Sequence, residues 1–311
     1  MKVYSDVCIV GGGAAGGVLS YYLYRSGFSK LPVYYYSEVS VSAVKAQGGI
    51  YVTDENRRVD YLVPVIPRHY ETPIDECKFV FNTVKAYSVP QTIELMLNIT
   101  QPSGVVIMLQ NGFGSLELAE RSLQGRQVAG GVIHYGAQRV GHGRVLYHGG
   151  NTIIAGCRNS LCLDLLEISN ALRLGGLYLL VTSNIDFYRW LKLMINAVVN
   201  PLTAITRGPN RVVLEKEGLE LARAIIEEIC EVARGYGYAF NPTEVLDYLK
   251  SGIESVASNI SSMAQDVINN RPTEIDFLNG FVAKSLGKES SINYILTLII
   301  RLIERGYKLK S

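Results

Sequence analysis

Three polar side chains recur every four residues in the otherwise apolar stretch from Trp190 to Arg207. They are Lys192, Asn196 and Asn200, and in a helix residues four apart lie on one face. An ammonium can stabilise and then protonate an oxygen on which negative charge develops. Carboxamides can orient a carboxylate or a hydroxyl without adding charge. A solvated helix face is the ordinary explanation of such a stripe, so other signals must decide.

Pro201 directly follows this stripe. Proline has no N–H group, so the carbonyl of Ala197 would lose its helical hydrogen-bond partner. We therefore expect the helix to kink or break at Pro201, which would help Asn196 and Asn200 to face one cleft.

A glycine motif lies near the N-terminus. The pattern predicts a buried strand at residues 3–10 and a helix that includes Val18–Tyr24. Between them lies G-x-G-x-x-G at residues 11–16, whose candidate cofactor-binding residues are Gly11, Gly13, Ala14, Ala15 and Gly16. Such glycines allow a tight turn and close approach of a pyrophosphate, and the helix N-terminus supplies N–H groups and positive dipole. This context predicts dinucleotide binding rather than a merely structural turn.

The end of the second predicted strand, Leu31–Tyr36, bears on cofactor choice, because the adenine ribose is recognised there. Glu38 follows that strand, and the segment Tyr34–Ser42 contains no lysine or arginine. A carboxylate accepts hydrogen bonds from an unphosphorylated ribose and repels a 2′-phosphate. The pattern therefore predicts that NADH is accepted at least as well as NADPH. The alternative is a loop in which Glu38 points away and Lys45 reaches in.

Strands alternate with helices as far as the predicted strand at residues 105–109, and this alternation predicts a parallel, doubly wound sheet. The glycine-rich stretch from Val128 to Ala155 is expected to extend the sheet with antiparallel strands. Lys85 and Asn111 both follow predicted strands, where ligands of such sheets bind. An ordinary turn remains the simplest explanation of Asn111-Gly112 taken singly. From Asp186 onward the pattern is helical.

Composition narrows the function classes. The 311 residues carry a net charge of +2, with 19% charged and 48% hydrophobic residues, so we expect no nucleic-acid partner and no membrane association. No apolar run reaches the length of a membrane span. Five cysteines lack zinc spacing, and their odd number argues against a full disulfide framework. The histidines at 134, 142 and 148 are interpreted as structural or exposed. We expect a soluble, cytoplasmic protein with no metal.

A polar stretch near the C-terminus permits two interpretations. Thr273 and Asp276 have the spacing of a capping box, with Asp in place of the usual Glu. Glu274 would then only stabilise the first turn of a helix through its dipole. Asp266 would be a solvated helix residue.

Five blocks, in order, resemble the ketopantoate reductase (2-dehydropantoate 2-reductase) family over nearly the whole chain. They are GGGAAGG at the glycine motif, VKAY at 84–87, QNGFG at 110–114, KLMINAVVNPLTA at 192–204 and SSMAQDVINNRPTEIDFLNG at 261–280. The last two are the most specific. The resemblance implies an α/β N-terminal Rossmann-like dinucleotide-binding domain (1–184) and an all-α C-terminal domain (185–311), with the active site in the cleft between them.

The resemblance also implies a reaction and its residues. The reaction would be reduction of 2-dehydropantoate, a 2-oxo acid, to (R)-pantoate by NADPH or NADH, on the route to pantothenate and coenzyme A. Lys192 would be the catalytic lysine, and Glu274 an active-site glutamate near the cofactor. Asn111 would contact both nicotinamide and substrate, and Lys85 the cofactor. The implied substrate-binding residues are Asn196, Asn200, Asn210 and Ser262. A homodimer is left open.

Three departures and three alternatives accompany this interpretation. Glu38 occupies the region where many NADPH-dependent members have arginine, Ser88 replaces a common glutamine, and the C-terminal segment 290–293 lacks a usual proline. A related 2-oxoacid or β-hydroxyacid dehydrogenase would also carry Lys-x-x-x-Asn on such a helix. A catalytically silent, dinucleotide-sensing paralogue is a second alternative. A flavoprotein would share only the first motif, and no later flavin-contacting motif follows.

Overall fold

The computed structural model describes residues 3–158, 162–254 and 256–308. The chain forms two compact units, which are described separately. The first comprises Met1–Gln110 and Ser115–Tyr188, and the second comprises Asn111–Gly114 and Arg189–Ser311. The assignment of Asn111–Gly114 to the second unit has no signature in the sequence pattern, which predicted a single division between residues 184 and 185.

The strands of the described chain are β1 Val3–Val10, β2 Pro32–Tyr35, β3 Ile50–Asp54, β4 Val59–Val63, β5 Ile66–His69, β6 Asp75–Asn82, β7 Thr100–Met108, β8 Gln127–Gly141, β9 Arg144–Gly156 and β10 Tyr178–Val181. The helices of its first half are α1 Ala14–Arg25, α2 Glu38–Ala46, α3 Ile93–Ile99, α4 Ser115–Ser122 and α5 Asp164–Gly175. Those that follow are α6 Ile185–Thr206, α7 Lys216–Gly235, α8 Pro242–Glu254, α9 Ser262–Ile268, α10 Asn279–Leu286 and α11 Ile292–Lys308. Short 3-10 helices occupy Ala86–Thr92, Asn210–Leu214 and Ile275–Phe277.

One mixed sheet organises the first unit. Its strand order is β4-β3-β9-β8-β7-β6-β1-β2-β5, with β10 paired to β9. The central pairs from β8 through β7, β6, β1 and β2 are parallel, whereas β8 with β9 and β3 with β4 are antiparallel. The predicted α/β fold with an antiparallel extension, followed by a helical unit, is confirmed.

Alternating side chains of β1 enter two separate apolar cores, as expected for a strand that is covered on both faces. Val7 and Ile9 pack with residues of α1 and α5, and Val10 packs on the opposite face with residues of α3 and α4. Because both faces of the sheet are covered, a ligand can approach the sheet at the ends of its strands. The glycine motif, Lys85 and Gln110 all follow the carboxyl ends of neighbouring strands.

The sequence pattern missed several elements at the edge of this sheet. Helix α2 begins at Glu38, directly beyond β2, in a segment that was expected to be a loop. It was missed because it has nine residues and buries only Ser40 and Val44. Strands β4 and β5 were also missed.

Four of the five cysteines are paired in disulfides, Cys8 with Cys77 and Cys157 with Cys162, while Cys230 is a buried thiol. The expectation drawn from the odd count did not foresee these pairs. The first joins residues 69 apart in sequence, which only the sheet brings together. Burial raises the pKa of the Cys230 thiol to about 11. None of the described helices is both long and apolar enough to cross a membrane.

Helix α6 dominates the second unit and continues through Pro201 to Thr206. The predicted break is therefore wrong, whereas a kink at Pro201 stays a prediction. A neighbouring side chain explains why the helix continues. The carboxamide nitrogen of Asn279, which is fully buried, donates to the carbonyl oxygen of Ala197 at 2.9 Å and to Oδ1 of Asn293 at 2.9 Å. Asn279 thus supplies the donor that Pro201 lacks, so the helix keeps its carbonyl satisfied without breaking.

This arrangement predicts a rescue between two substitutions. Asn279→Leu should lower the free energy of unfolding by about 1–3 kcal/mol, because the buried carbonyl of Ala197 loses its donor. Adding Pro201→Ala should recover part of that loss, since alanine restores an N–H for the same carbonyl. Urea unfolding of both single variants and the double variant measures the coupling. Simple additivity of the two effects would contradict this role of Asn279.

Candidate active site

The glycine motif of the first unit has the geometry of a pyrophosphate cradle. Gly11 has a φ of +101°, which favours glycine, and a Cβ added at Gly16 would lie 2.1 Å from the carbonyl oxygen of Gly11. Gly13 precedes α1 with open space where a Cβ would be, no side chain caps the helix, and its first turn has no acidic residue. Ala14 and Ala15 form that turn. These residues therefore fit the pyrophosphate of a dinucleotide.

Lys85 and Gln110 lie at the same edge of this sheet, just beyond the ends of β6 and β7. Lys85 is half-buried and precedes the 3-10 helix that follows β6. Gln110, just beyond β7, donates from Nε2 to the carbonyl oxygens of Asn82 and Val84 at 3.0 and 3.1 Å. This carboxamide fixes the ends of β6 and β7 to each other. The structure therefore places Lys85 at the strand ends, as the sequence predicted.

Within the second unit, three predicted residues form one hydrogen-bonded chain. Asn196 donates from Nδ2 to Oδ1 of Asn111 at 3.2 Å. Asn111 in turn donates from Nδ2 to Oε2 of Glu274 at 3.4 Å. Asn196 and Glu274 are 8% and 6% exposed. Asn111 thus joins Asn196 to Glu274 through both ends of its carboxamide, although Glu274 lies 163 positions from Asn111 in sequence.

The turn that carries Asn111 is held by aromatic packing and by an arginine that sequence analysis missed. The ring of Phe113 lies 4.4 Å from that of Trp190 and 4.9 Å from that of Phe281, centroid to centroid. The guanidinium of Arg189, which is 6% exposed, lies 4.2 Å from the Phe113 ring and donates to the carbonyl of Gly112 at 3.3 Å. The sequence indicated this role of Arg189 only by its position, next to Trp190 and three residues before Lys192.

Lys192 is half-buried on α6, and its ammonium forms no ion pair or hydrogen bond with residues in the described parts of the chain. Desolvation lowers its pKa from the ordinary lysine value of 10.5. A nearby carboxylate would oppose such a shift. Desolvation acts here without such opposition, so the pKa of Lys192 lies below the ordinary lysine value.

Glu274 does not serve as a helix cap. The 3-10 helix that follows it, Ile275–Phe277, has only three residues, and the Glu274 side chain makes no capping hydrogen bond. The capping box proposed from Thr273 and Asp276 is absent, because Asp276 pairs with Arg301 at 2.7 Å instead. A buried carboxylate bonded to Asn111 is better explained as part of a site than as a helix-dipole residue.

The remaining predicted substrate residues do not join this chain through hydrogen bonds among the described residues. Asn200 is buried one turn beyond Asn196. Asn210 donates from Nδ2 to the carbonyl of Val256 at 3.0 Å, a structural contact, although its buried Oδ1 has no partner in the described structure. Ser262 is exposed in the first turn of α9. Asp266, expected to be solvated, is instead buried and paired with Arg271 at 3.1 Å.

Ser262 has a structural neighbour that provides a matched comparison. Ser261 is buried, accepts from the Ala264 N–H at 3.1 Å as the cap of α9, and shares a 2.6 Å hydrogen bond with Thr203 of α6. We expect Ser261→Ala to cost about 0.5–2 kcal/mol of stability. Ser262→Ala should leave the melting temperature unchanged and raise the KM for substrate. A Ser262→Ala enzyme with unchanged KM would remove Ser262 from the site.

Glu38 does not lie where the sequence predicted a ribose-binding carboxylate. It is exposed in the first turn of α2 and does not line the cavity at the glycine loop, and Lys45 is exposed in the last turn of that helix. Among the described residues, no group of three or more His, Cys, Asp or Glu side chains is arranged to hold a metal ion.

Comparison with known proteins gives consistent matches. The family model "Ketopantoate reductase PanE/ApbA" matches residues 7–160, and its C-terminal counterpart matches residues 184–304. A 2-dehydropantoate 2-reductase of Archaeoglobus fulgidus is 32% identical over 237 residues, which are 75% of this chain and 78% of that protein.

Solved structures agree with these matches. A PanE/ApbA family ketopantoate reductase from Ralstonia eutropha JMP134 has a TM-score of 0.84 at 26% identity, covering 97% of this chain and 99% of that one. A ternary structure of D-mandelate dehydrogenase with NADH and anilino(oxo)acetate has a TM-score of 0.90 at 20% identity, covering 97% and 99%. The second likeness concerns the fold alone.

Proposed function

This chain belongs to the ketopantoate reductase family, and from that premise we propose that it reduces 2-dehydropantoate to (R)-pantoate with a reduced nicotinamide dinucleotide, on the route to pantothenate and coenzyme A. The observation that carries the proposal is the hydrogen-bonded chain of Asn196, Asn111 and Glu274, whose first member lies on the same helix as Lys192. Each of these side chains lies in one of the sequence blocks that resemble the family.

The assigned chemistry follows from the side chains. A bound NADPH or NADH would supply the hydride. The Lys192 ammonium stabilises the negative charge that develops on the ketone oxygen and then donates a proton from Nζ to that oxygen. Its lowered pKa brings the proton closer in energy to this transfer. No carboxylate pairs with Lys192 in the described structure, so its charge is available to substrate.

The asparagines and Glu274 would hold the substrate. Carboxamides of Asn196 and Asn200 provide neutral donors and acceptors for a carboxylate and a hydroxyl. Asn111 is oriented by its bonds to Asn196 and Glu274, so its position is fixed before substrate binds. Asn210 and Ser262 are assigned to the substrate only through the family match. We propose that Glu274 accepts a hydrogen bond from a substrate hydroxyl.

The first unit would hold the nucleotide. The glycine motif, with Gly11, Gly13 and Gly16, would receive the pyrophosphate at the N-terminus of α1. Lys85 would contribute positive charge at the end of β6, and Asn111 and Glu274 would contact the nicotinamide end. These assignments predict that the isolated enzyme binds nicotinamide dinucleotides without added metal or flavin.

The decisive measurement is steady-state kinetics on a panel of 2-oxo acids with NADPH and with NADH. The expected result is the highest kcat/KM for 2-dehydropantoate, with (R)-pantoate as product. A higher value for an aryl or unbranched 2-oxo acid would favour a related 2-oxoacid dehydrogenase. Tight dinucleotide binding without turnover of any 2-oxo acid would favour a silent sensor.

A further inference from the structure

A cavity of ≈ 240 Å³ opens beside the glycine loop, at the carboxyl end of β2, within the first unit. Its walls include Gly12, Tyr35 and Ser37, as the ribose end of a dinucleotide site requires. Its other wall comes from a distant part of the chain, because Arg139 and His142 at the tip of the β8–β9 hairpin also line it. The hairpin thus brings the cationic side chain of Arg139 to the end of β2, where the neighbouring segment Tyr34–Ser42 contains no lysine or arginine.

Arg139 is exposed and forms no ion pair with the residues that the structure describes. The hairpin tip that carries it is fastened to α2. His142 Nδ1 and Ser40 Oγ share a hydrogen bond of 2.7 Å, and Gln47 Nε2 donates to the carbonyl of His142 at 3.0 Å. The guanidinium is therefore carried by a hairpin that is anchored beside the glycine loop, and its charge is not neutralised by a neighbouring carboxylate.

A buried hydroxyl without a partner faces the same cavity. Tyr35 is 6% exposed, and its hydroxyl has no hydrogen-bond partner in the described structure. A Cβ added at Gly12 would lie 2.3 Å from that oxygen, so the hydroxyl is close against the glycine loop. Burial raises the pKa of Tyr35, and the charge of Arg139 partly opposes this shift. The hydroxyl is therefore a protonated donor that lies within reach of the Arg139 charge.

The third contribution is the N-terminus of α2. Ser37 is its cap residue, yet its hydroxyl makes no capping hydrogen bond, so it is available to a ligand. A guanidinium, hydroxyl donors and a helix N-terminus together are the groups that bind a phosphate. Glu38, the one carboxylate in the first turn of α2, is exposed and is not part of the cavity wall.

We infer that Arg139, with Ser37 and Tyr35, binds the 2′-phosphate of the cofactor and makes NADPH preferred over NADH. The inference rests on the proposed use of a nicotinamide dinucleotide. It reverses the expectation drawn from the segment Tyr34–Ser42, which contains no cation, because that expectation considered only residues near β2. Arg139 of the β8–β9 hairpin, about a hundred residues further along the chain than Glu38, supplies the cation that the segment after β2 lacks.

The test compares binding of adenosine 2′,5′-bisphosphate and adenosine 5′-monophosphate, which differ only in the 2′-phosphate, by titration calorimetry on the whole protein. Wild type should bind the bisphosphate at least tenfold more tightly. Arg139→Met should bring that ratio near one, while Arg144→Met should preserve it. Arg144 is a matched control because it is an exposed arginine of the same hairpin that lies over Tyr51 and does not line the cavity.

Two outcomes would overturn the inference. One is a tenfold preference that survives Arg139→Met. The other is a wild-type preference for the monophosphate that Glu38→Gln weakens, which would return ribose recognition to Glu38. Because these ligands contain no nicotinamide and no substrate is present, the result is independent of whether 2-dehydropantoate is reduced. Melting temperatures of both arginine variants verify that they are folded.

Discussion

Lys192→Met should lower kcat/KM for 2-dehydropantoate by roughly 10²–10⁴-fold, the usual contribution of a positioned proton donor, while dinucleotide binding is unchanged. The same substitution should make the protein more stable at neutral pH. Both effects have one cause, because Lys192 is a desolvated ammonium without an anionic partner in the described structure. A site that holds an unpaired charge for substrate sacrifices stability for function.

The pH dependence of both quantities follows from the lowered pKa. A general acid must be protonated, so kcat/KM should fall as pH rises through the folded-state pKa of Lys192. For stability, the unfolded chain binds a proton that the folded protein has lost between that lowered pKa and 10.5. The free energy of unfolding of wild type, minus that of Lys192→Met, should therefore be lowest at pH values below the lowered pKa. It should rise as the pH increases from that pKa toward 10.5.

The control is Lys216→Met, which removes an exposed lysine from the start of α7. It should change neither kcat/KM nor the melting temperature appreciably. Retention of more than about a third of wild-type activity by Lys192→Met would exclude Lys192 as the general acid. Chemical denaturation at several pH values separates the stability effect from the kinetic one.

Glu274→Gln should lower kcat/KM by roughly 10- to 150-fold. A hydrogen bond to a charged group is worth about 1.5–3 kcal/mol, and each 1.36 kcal/mol corresponds to about a factor of ten. Glutamine keeps the shape of the side chain but removes the charge that a substrate hydroxyl and Asn111 would meet. If Glu274 served only the helix dipole, stability would fall by ~0.3–1 kcal/mol and the kinetics would be unchanged.

Asp276→Asn is the matched control for Glu274→Gln. It removes an exposed carboxylate two positions away, whose partner is Arg301. An exposed ion pair contributes about 0–1 kcal/mol, so Asp276→Asn should alter stability slightly and kcat/KM not at all. Equal kinetic effects of the two substitutions would show that Glu274 has no particular role in catalysis.

Local patterns were sufficient to predict the elements that are strongly periodic or carry a motif. The strand, glycine turn and helix at the N-terminus lie where the sequence indicated them, and the polar stripe of α6 is indeed helical. Predictions failed where a distant residue decides the outcome. The break expected at Pro201 is prevented by Asn279, which lies 82 residues from the carbonyl that it satisfies.

The candidate site shows the same limit. Spacing on a helix could place Lys192, Asn196 and Asn200 together, because residues four apart share a face. It could not show that Asn111 bonds to Glu274, that Arg189 packs on Phe113, or that Arg139 reaches the end of β2. Nor could it foresee that Thr273 and Asp276 fail to form a capping box, since Arg301 on α11 competes for the carboxylate.

The packing of Asn111–Gly114 with the second unit has a consequence for recombining relatives of this protein. A chimaera joined at one point near residue 188 would combine the four-residue turn of one parent with the Trp190, Phe281 and Phe277 of the other. Phe113 packs its ring against Trp190 and Phe281 and donates from its N–H to the Phe277 carbonyl at 3.1 Å. A chimaera that is to keep this packing must therefore take two segments from the same parent, the helical segment from Arg189 onward and the four residues Asn111–Gly114.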